Sequence, residues 1–517
     1  MEPSPLTQQA RPEKFQQKIV ELYDVLFKDE DDEQELSEGY WREFFLLKPD
    51  KATLQQILND LSPDDLLQLQ EQTRELFTRA VGCIKAGSAP ADGNALDTVT
   101  AFLAAVLPKK YTNPSSDIIT VLAGLDQVDA IFTEFVTALD VTIKSGRNLD
   151  IRQKAIQATL SVTSGAYQTS LLSYFTHRDL FPSLMKYIQD SDTSSRAFEP
   201  FTLLGLLANY NKFESQNPYR MRLDDFVNEG IIQKIIRSVG STTVTAREKY
   251  VEIQDDLPEG WSISSTLNMF GLGGMVAGGA RPTTPAIDPE LAKELFAKLP
   301  GSEAAVLLAT YDFAHANKLF CFNFVSLTPE KGVEAPISSY LSFTSYLLQH
   351  AYSSQRTTLY SHLNLLTIRL FIEDQILYTL LDNTVNLIAL SLSAGEAFLP
   401  NPAAYDDLFY KLVEMGEILV KFRDNYDLGK RSTNSIGTLI NVSTHYNEML
   451  TDGASGRKGK LLTSAQVQGV IKQGYETLSI QAKDGLDSWE KYREADEKVF
   501  LKKMARAVVG DVKQLIS

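Results

Sequence analysis

Cysteine is nearly absent. Cys83 and Cys321 are the only two in 517 residues, far apart and each inside an apolar helical stretch. Neither a disulfide framework nor a thiolate metal site is expected, and both read as buried thiols of a reducing compartment. Histidine is also sparse: His177, His315, His350, His362 and His445 are too scattered for the paired helical spacing of a zinc protease. Basic charge is in deficit, 50 Lys and Arg against 66 Asp and Glu, for a formal net charge of -16. That argues against a general nucleic-acid surface, because phosphate binding needs clustered cations to displace counterions. An acidic exterior suits solubility and basic partners. The opening MEPSPLTQQARPEKF has no apolar core, so it reads as a short disordered lead-in over residues 1–12 and not as a signal peptide. Long apolar runs are missing except Ile376–Leu399, which Asp382, Asn383 and Asn386 interrupt. An ionisable group near a bilayer centre costs about 2.5–3.5 kcal/mol. The window reads as a buried helix, with a membrane span as the alternative.

What is present is helix. Phe198–Val239 shows a full unit: Phe201–Tyr210 is apolar almost all round, as for an enclosed helix. Asn217-Pro218 forces a stop before it. After Asn228-Glu229-Gly230, the residues Ile231, Ile232, Ile235, Ile236 and Val239 recur on one helical face. Ser62-Pro63-Asp64-Asp65 is a helix start, with a Ser cap, proline in the first turn and carboxylates at the positive end of the dipole. From it a helix is predicted to run through Leu66, Leu69, Leu76, Phe77, Ala80 and Ile84. Helices over Glu13–Lys28, Asn94–Leu107, Ile118–Leu125, Val128–Lys144 and Asp150–Val162 follow the same style, and Thr242–Gln254 is a separate charged candidate. The aromatic patch Tyr40, Trp41, Phe44 and Phe45 reads as the end of a core, and the acidic run Asp29–Glu35 as a solvated loop or a strip for a basic partner. The spacing is roughly 40 residues per helix pair or trio, the period of armadillo or HEAT arrays. The expected fold is therefore all-α, an armadillo/HEAT-like right-handed α-solenoid of stacked helix pairs, with helical regions at 13–256 and 290–517. Between them, 257–289 is rich in Gly and Pro. Trp261, Leu267, Met269, Phe270, Leu272 and Met275 make it too apolar for a plain linker, so it either tucks into a groove or touches a membrane or partner.

Catalytic motifs fail on inspection. His177-Arg178-Asp179-Leu180 copies the start of a kinase catalytic loop, but Leu184 stands where the magnesium-binding Asn belongs, and Asp225-Phe226 continues with Val227. Gly271, Gly273 and Gly274 miss the dinucleotide spacing because Val276 takes the third glycine position. Before Gly459-Lys460, Ala454 replaces the first glycine of a phosphate loop, and Leu461 replaces its hydroxyl residue. No catalytic residue, cofactor or metal is expected. Contact residues are sought among those a core does not need: Lys212, Phe213, Asn217 and Tyr219 in the elbow, and Tyr405, Asp406 and Asp407 after Pro400-Asn401-Pro402. Trp261, Leu267, Phe270 and Met275 are the membrane or partner candidates of the long loop.

Five blocks, KIVELYDVLF, GYWREFFLLK, LLANYNKFESQNPY, EAFLPNPAAYDDLFYKLVEM and YETLSIQAKDGLDSWEKYREADEKVFLKKMAR, fall in order from Lys18 to Arg506. Together they resemble the armadillo-like helical domain-containing proteins of eukaryotes. The resemblance implies a cytosolic protein recruited peripherally to Golgi membranes, supporting Golgi maintenance and secretion. Its implied partners are the large Golgi Arf guanine-nucleotide exchange factor and the type III beta phosphatidylinositol 4-kinase. It implies no catalytic residues. One departure stands out: after HLNLLTIRLFIEDQ the family continues through several more helices, whereas here Gln375 joins directly to ILYTLLDNTVNLIAL. A middle section is expected to be missing.

Overall fold

Ser62 and Asp65 close the first boundary as their order in the chain requires. The Asp65 amide donates to Ser62 Oγ at 3.1 Å, and the Ser62 amide donates to Asp65 Oδ2 at 2.7 Å, so two otherwise orphaned donors are satisfied. The computed structural model describes residues 17–27, 36–214, 216–254, 289–329, 332–373, 412, 415–425, 436–437, 439–448 and 492–516. Among these no strand occurs; every regular element is helical. The helices in order are α1 (Lys18–Leu26), α2 (Glu38–Leu46), α3 (Lys51–Asp60), α4 (Pro63–Gln68), α5 (Gln70–Ala86), α6 (Ala91–Val106), α7 (Pro114–Leu122), α8 (Val128–Ser145), α9 (Leu149–Gly165), α10 (Leu172–His177), α11 (Phe181–Asp190), α12 (Phe198–Asn209), α13 (Pro218–Asp224), α14 (Glu229–Gln254), α15 (Pro289–Lys298), α16 (Val306–Ala316), α17 (Lys318–Ser326), α18 (Pro336–Gln349), α19 (Gln355–Glu373), α20 (Gly416–Asn425) and α21 (Lys498–Ile516).

The rhythm is short, long, long. Each of α4, α7 and α10 is a brief first helix followed by two longer ones, a trio, and α13 and α17 are again brief helices that open a group. Proline or asparagine sets these starts except that of α10: Pro63, Pro114 and Pro218 occupy the first helical turn, and Asn217 and Asn317 cap. Stacking produces two rows. α5, α8, α11, α14 and α18 pack in succession, and α6, α9, α12 and α16 pack in succession behind them. Helices of the second row are enclosed, which explains their lack of a polar face: every residue of α12 from Pro200 to Asn209 is buried. Close approach within that row needs a missing side chain. A Cβ on Gly205 would lie 2.8 Å from Ala309 Cβ and 3.0 Å from the Ala309 backbone nitrogen, so glycine lets α12 and α16 touch. At the chain's beginning, Trp41, Phe44 and Phe45 of α2 are buried, and Tyr23 of α1 meets Phe44 edge-on at 5.7 Å. The patch closes the stack there.

Two expected boundaries differ. The helix starting at Pro63 does not carry through to Ile84: it ends at Gln68, and α5 begins at Gln70. Conversely, α14 runs unbroken from Glu229 to Gln254 through the glycine and hydroxyl residues that suggested a separate helix. Ser241 and Thr242 donate to the Ser238 carbonyl, and Thr243 donates to the Gly240 carbonyl, so these side chains fold back on their own helix. Gly240 is needed because Pro336 of α18 lies 3.0 Å from where its Cβ would be.

Compactness also groups the chain differently from the linear division at 256 and 290. One unit comprises 1–255, 287–367 and 494–517; the other comprises 256–286 and 368–493. The first holds both rows and ends with α21, which lies along α9, α12, α16 and α6 and against the 3-10 turn Ser302–Ala305. In the second unit, α20 and the helical residues 439–448 are described, with Leu439, Ile440, Val442 and Tyr446 buried. Of the loop 257–289 all but Pro289, and the window Ile376–Leu399, the junction Gln375–Ile376 and the acidic run Asp29–Glu35, lie outside the described residues.

Candidate functional site

The elbow between α12 and α13 carries the residues singled out by sequence, and the structure turns most of them inward. Asn211 takes a positive φ of 48°, a conformation asparagine tolerates, and brings Lys212 back beneath the helix end. The Lys212 ammonium is buried and lies 2.5 Å from Asp312 of α16 and 2.6 Å from Glu494, just ahead of α21. Asn209 donates to the second Asp312 oxygen, and Arg220 of α13 meets the second Glu494 oxygen at 2.6 Å. Four elements are thus tied through one set of charges. An ammonium out of water is tolerated when paired carboxylates and hydrogen bonds replace its hydration.

The two acids respond differently. Burial pushes the Asp312 carboxyl above its ordinary value despite the opposing pull of Lys212. Burial acts the same way on Glu494, but Lys212, His315 and Arg220 together outweigh it and hold that carboxyl low. His315, 3.8 Å from Glu494, is itself pushed down by burial against the opposing pull of that acid.

Asn217 and Tyr219 are equally committed. The Asn217 amide donates to the carbonyls of Leu207 and Tyr210 at 2.8 and 3.0 Å, and its oxygen accepts from the Tyr219 amide. The Tyr219 hydroxyl donates to the Phe175 carbonyl at 2.6 Å and accepts from the Leu180 amide at 3.2 Å, joining α13 to α10 and α11. Lys212, Asn217 and Tyr219 are therefore internal ties; burial removes them from direct contact with a partner. Phe213 stays half-buried, its ring facing the ammonium groups of Lys212 and Lys498. Tyr405, Asp406 and Asp407, and Trp261, Leu267, Phe270 and Met275, lie outside the described residues.

A second tie holds the far end of α21. Asp511, buried, accepts from Arg356 Nε at 2.7 Å and from the Tyr360 hydroxyl, while Arg356 also donates to the Gly301 carbonyl at 2.9 Å. Between the two ties Leu501, Met504, Ala505, Val508 and Val512 bury one apolar stripe. Sequence reading missed Glu494 and Asp511 as anchors. The available signal was a carboxylate at 511 inside the stripe 501, 504, 505, 508 and 512, which a solvated acid would avoid.

The kinase-like tripeptide is structural too. Arg178 pairs with Asp140 at 2.8 Å, and Asp179 accepts from the Phe181 amide and pairs with Arg222. Cys321 is buried and Cys83 is half-buried, and neither forms a disulfide among the described residues. Among the described residues no group of His, Cys, Asp and Glu is arranged to hold a metal ion, and no helix is long and apolar enough to cross a membrane.

Stacked trios in two rows, with polar side chains spent on joining one helix to the next, define a helical-repeat scaffold of the armadillo type. Residues 334–514 match the family model described as armadillo-like helical domain-containing protein 3, C-terminal. Proteins named armadillo-like helical domain-containing protein 3 are similar over almost the whole chain: that of Xenopus laevis is 20% identical over 673 positions, covering 97% of this chain and 95% of its own length, and that of Homo sapiens is 19% identical over 669, covering 97% and 94%. The chain is similar to these proteins along almost its full length. A Schizosaccharomyces pombe protein named UPF0588 membrane protein C20F10.02c is 27% identical over 388 residues, 74% of this chain and 62% of its own length. The Xenopus alignment is longer than the 517 residues here, so that relative carries stretches this chain lacks.

Proposed function

We propose that the chain is a non-enzymatic adaptor: a helical scaffold that binds partner proteins at the Golgi surface and supports Golgi maintenance and secretion. The proposed partners are the large Golgi Arf guanine-nucleotide exchange factor and the type III beta phosphatidylinositol 4-kinase. The observation that carries the scaffold reading is the use of buried polar groups. Lys212, Asp312, Glu494, Arg356, Asp511 and Tyr219 all serve to join helices, which fits a molecule whose work is presented on its exterior. The names of the family relatives denote helical-domain proteins and no enzyme activity, which supports the same reading. The Golgi setting and the two partners rest on the sequence resemblance.

Co-precipitation tests it. The full chain, tagged and expressed in cells, recovers the Arf exchange factor, and its loss slows secretion; a chain whose removal leaves Golgi morphology and secretion unchanged contradicts the proposal. An integral or lipid-binding membrane protein, using Trp261–Met275 or Ile376–Leu399, is the alternative, and the name of the fission-yeast relative favours it. Carbonate extraction separates the two, because a spanning segment stays in the pellet and a peripheral scaffold is released.

A further inference from the structure

On α21, Arg506 and Lys513 are cations that no carboxylate among the described residues pairs with. Two clefts flank Tyr167 and Gln168 at the end of α9, with volumes of about 220 and 230 Å³, and Arg506 lines both. In the first, Lys212 is committed to Asp312 and Glu494, and Lys502 pairs with Glu214, which leaves Arg506 as the cation without an ion pair. In the second, Lys109, Arg506 and Lys513 share the lining and no carboxylate does. Among the described residues none of these three has an ion-pair partner; Lys109 donates only to the Asn59 and Leu61 carbonyls.

This is an unusual expense for a chain of net charge -16. Lys513 is half-buried, and burial pushes its ammonium below the ordinary value with no carboxylate to offset the loss of hydration. On the wall common to both clefts, the Tyr167 hydroxyl is buried without a hydrogen-bond partner among the described residues. Buried polar groups are nearly always satisfied, so an orphan donor beside orphan cations marks a place where an acceptor belongs.

We infer that the paired clefts around Arg506 bind an extended acidic segment of a partner protein, its carboxylates meeting Arg506, Lys513 and Lys109. The guanidinium fork of Arg506 matches a carboxylate bidentately and is exposed enough to accept one from either side. Gln168, exposed between the clefts, has the donor and acceptor that a passing backbone requires. Two small successive recesses suit a thin chain with a side chain in each, and a planar bilayer does not reach a half-buried ammonium. Helical-repeat scaffolds bind elongated partners along such surfaces. The inference rests on the scaffold reading only in taking the occupant to be a protein; it names no Golgi component.

The test is fluorescence anisotropy of a labelled hexaglutamate peptide titrated with the purified full chain. Saturable binding is expected, weakened by added salt and by about tenfold or more in Arg506→Gln/Lys513→Gln, since charge-assisted hydrogen bonds are lost. Lys503→Gln, on the same helix but lining neither cleft, stays within about twofold, because only an exposed charge is removed. Gln168→Glu, at an exposed site, places a repelling charge between the clefts and also abolishes binding, which keeps the test informative if the double variant unfolds. Absence of peptide binding, or equal binding by the double variant, overturns the inference. So does Arg506-dependent binding confined to inositol hexakisphosphate or to phosphatidylserine vesicles. Because the assay contains no Golgi partner, its failure with co-precipitation of the exchange factor intact removes this site and leaves the scaffold reading standing.

Discussion

Along α21, two sets of charges are treated in opposite ways. At the ends, Glu494 and Asp511 sit out of water against Lys212, Arg220 and Arg356, with each ion answered by another within 2.5–2.7 Å. Arg506, between these ties, and Lys513, just beyond Asp511, have no such answer among the described residues. Paired burial fixes a helix in place, whereas Arg506, exposed, and Lys513, half-buried, form no such pair among the described residues. The comparison separates the residues that build this scaffold from those available to a partner, and it reassigns Lys212 from the second group to the first.

The largest effect expected is at the paired end. Lys212→Ala leaves Asp312 buried without its cation and is expected to cost about 3–5 kcal/mol, read by chemical denaturation; Arg506→Ala is expected to stay within about 0.5 kcal/mol. Equal losses at the two positions would erase the contrast. Next comes Asp511→Ala, which strands Arg356 and the Tyr360 hydroxyl and is expected to cost about 1–3 kcal/mol. An unchanged denaturation midpoint would show that the far tie carries no stability.

A smaller effect is expected from pH. His315 at the first tie and His350, stacked on Phe296 at 3.9 Å, are both pushed down by burial. A base whose folded pKa is depressed contributes stability that is fully present above its unfolded value, about 6.5, and is lost as pH falls through the folded value. Asp312 and Asp511, raised by burial, act in the opposite direction, gaining as pH falls. The difference between wild type and His315→Gln/His350→Gln isolates the histidines: wild-type melting temperature, relative to the variant, is expected to drop between pH 7.5 and 5.5. A constant difference would contradict the downward push of burial on these rings.

Local structure was legible wherever a cap or a periodicity lay within a few residues. The Ser62 cap, the enclosure of Phe201–Asn209 and the Ile231–Val239 face all follow from neighbours in sequence. Continuity of α14 was hidden because Gly240 and its hydroxyl neighbours look like a break, and only Pro336, far along the chain, explains the glycine. The elbow failed for the same reason on a larger scale. Lys212 looks like a surface lysine until Asp312, 100 residues on, and Glu494 are brought to it. Charge pairing across such distances leaves no periodic trace. The clefts were hidden too, since an absent counter-ion becomes visible only once every neighbour is placed.

Amide hydrogen exchange across 498–516 in the full chain tests most directly whether α21 is a fixed part of the stack. Protection comparable to that of α12, lost when Lys212 is replaced by alanine, is the expected result; exchange as fast as an exposed helix in the unmodified chain would show that the terminal helix is not held by its two charged ties.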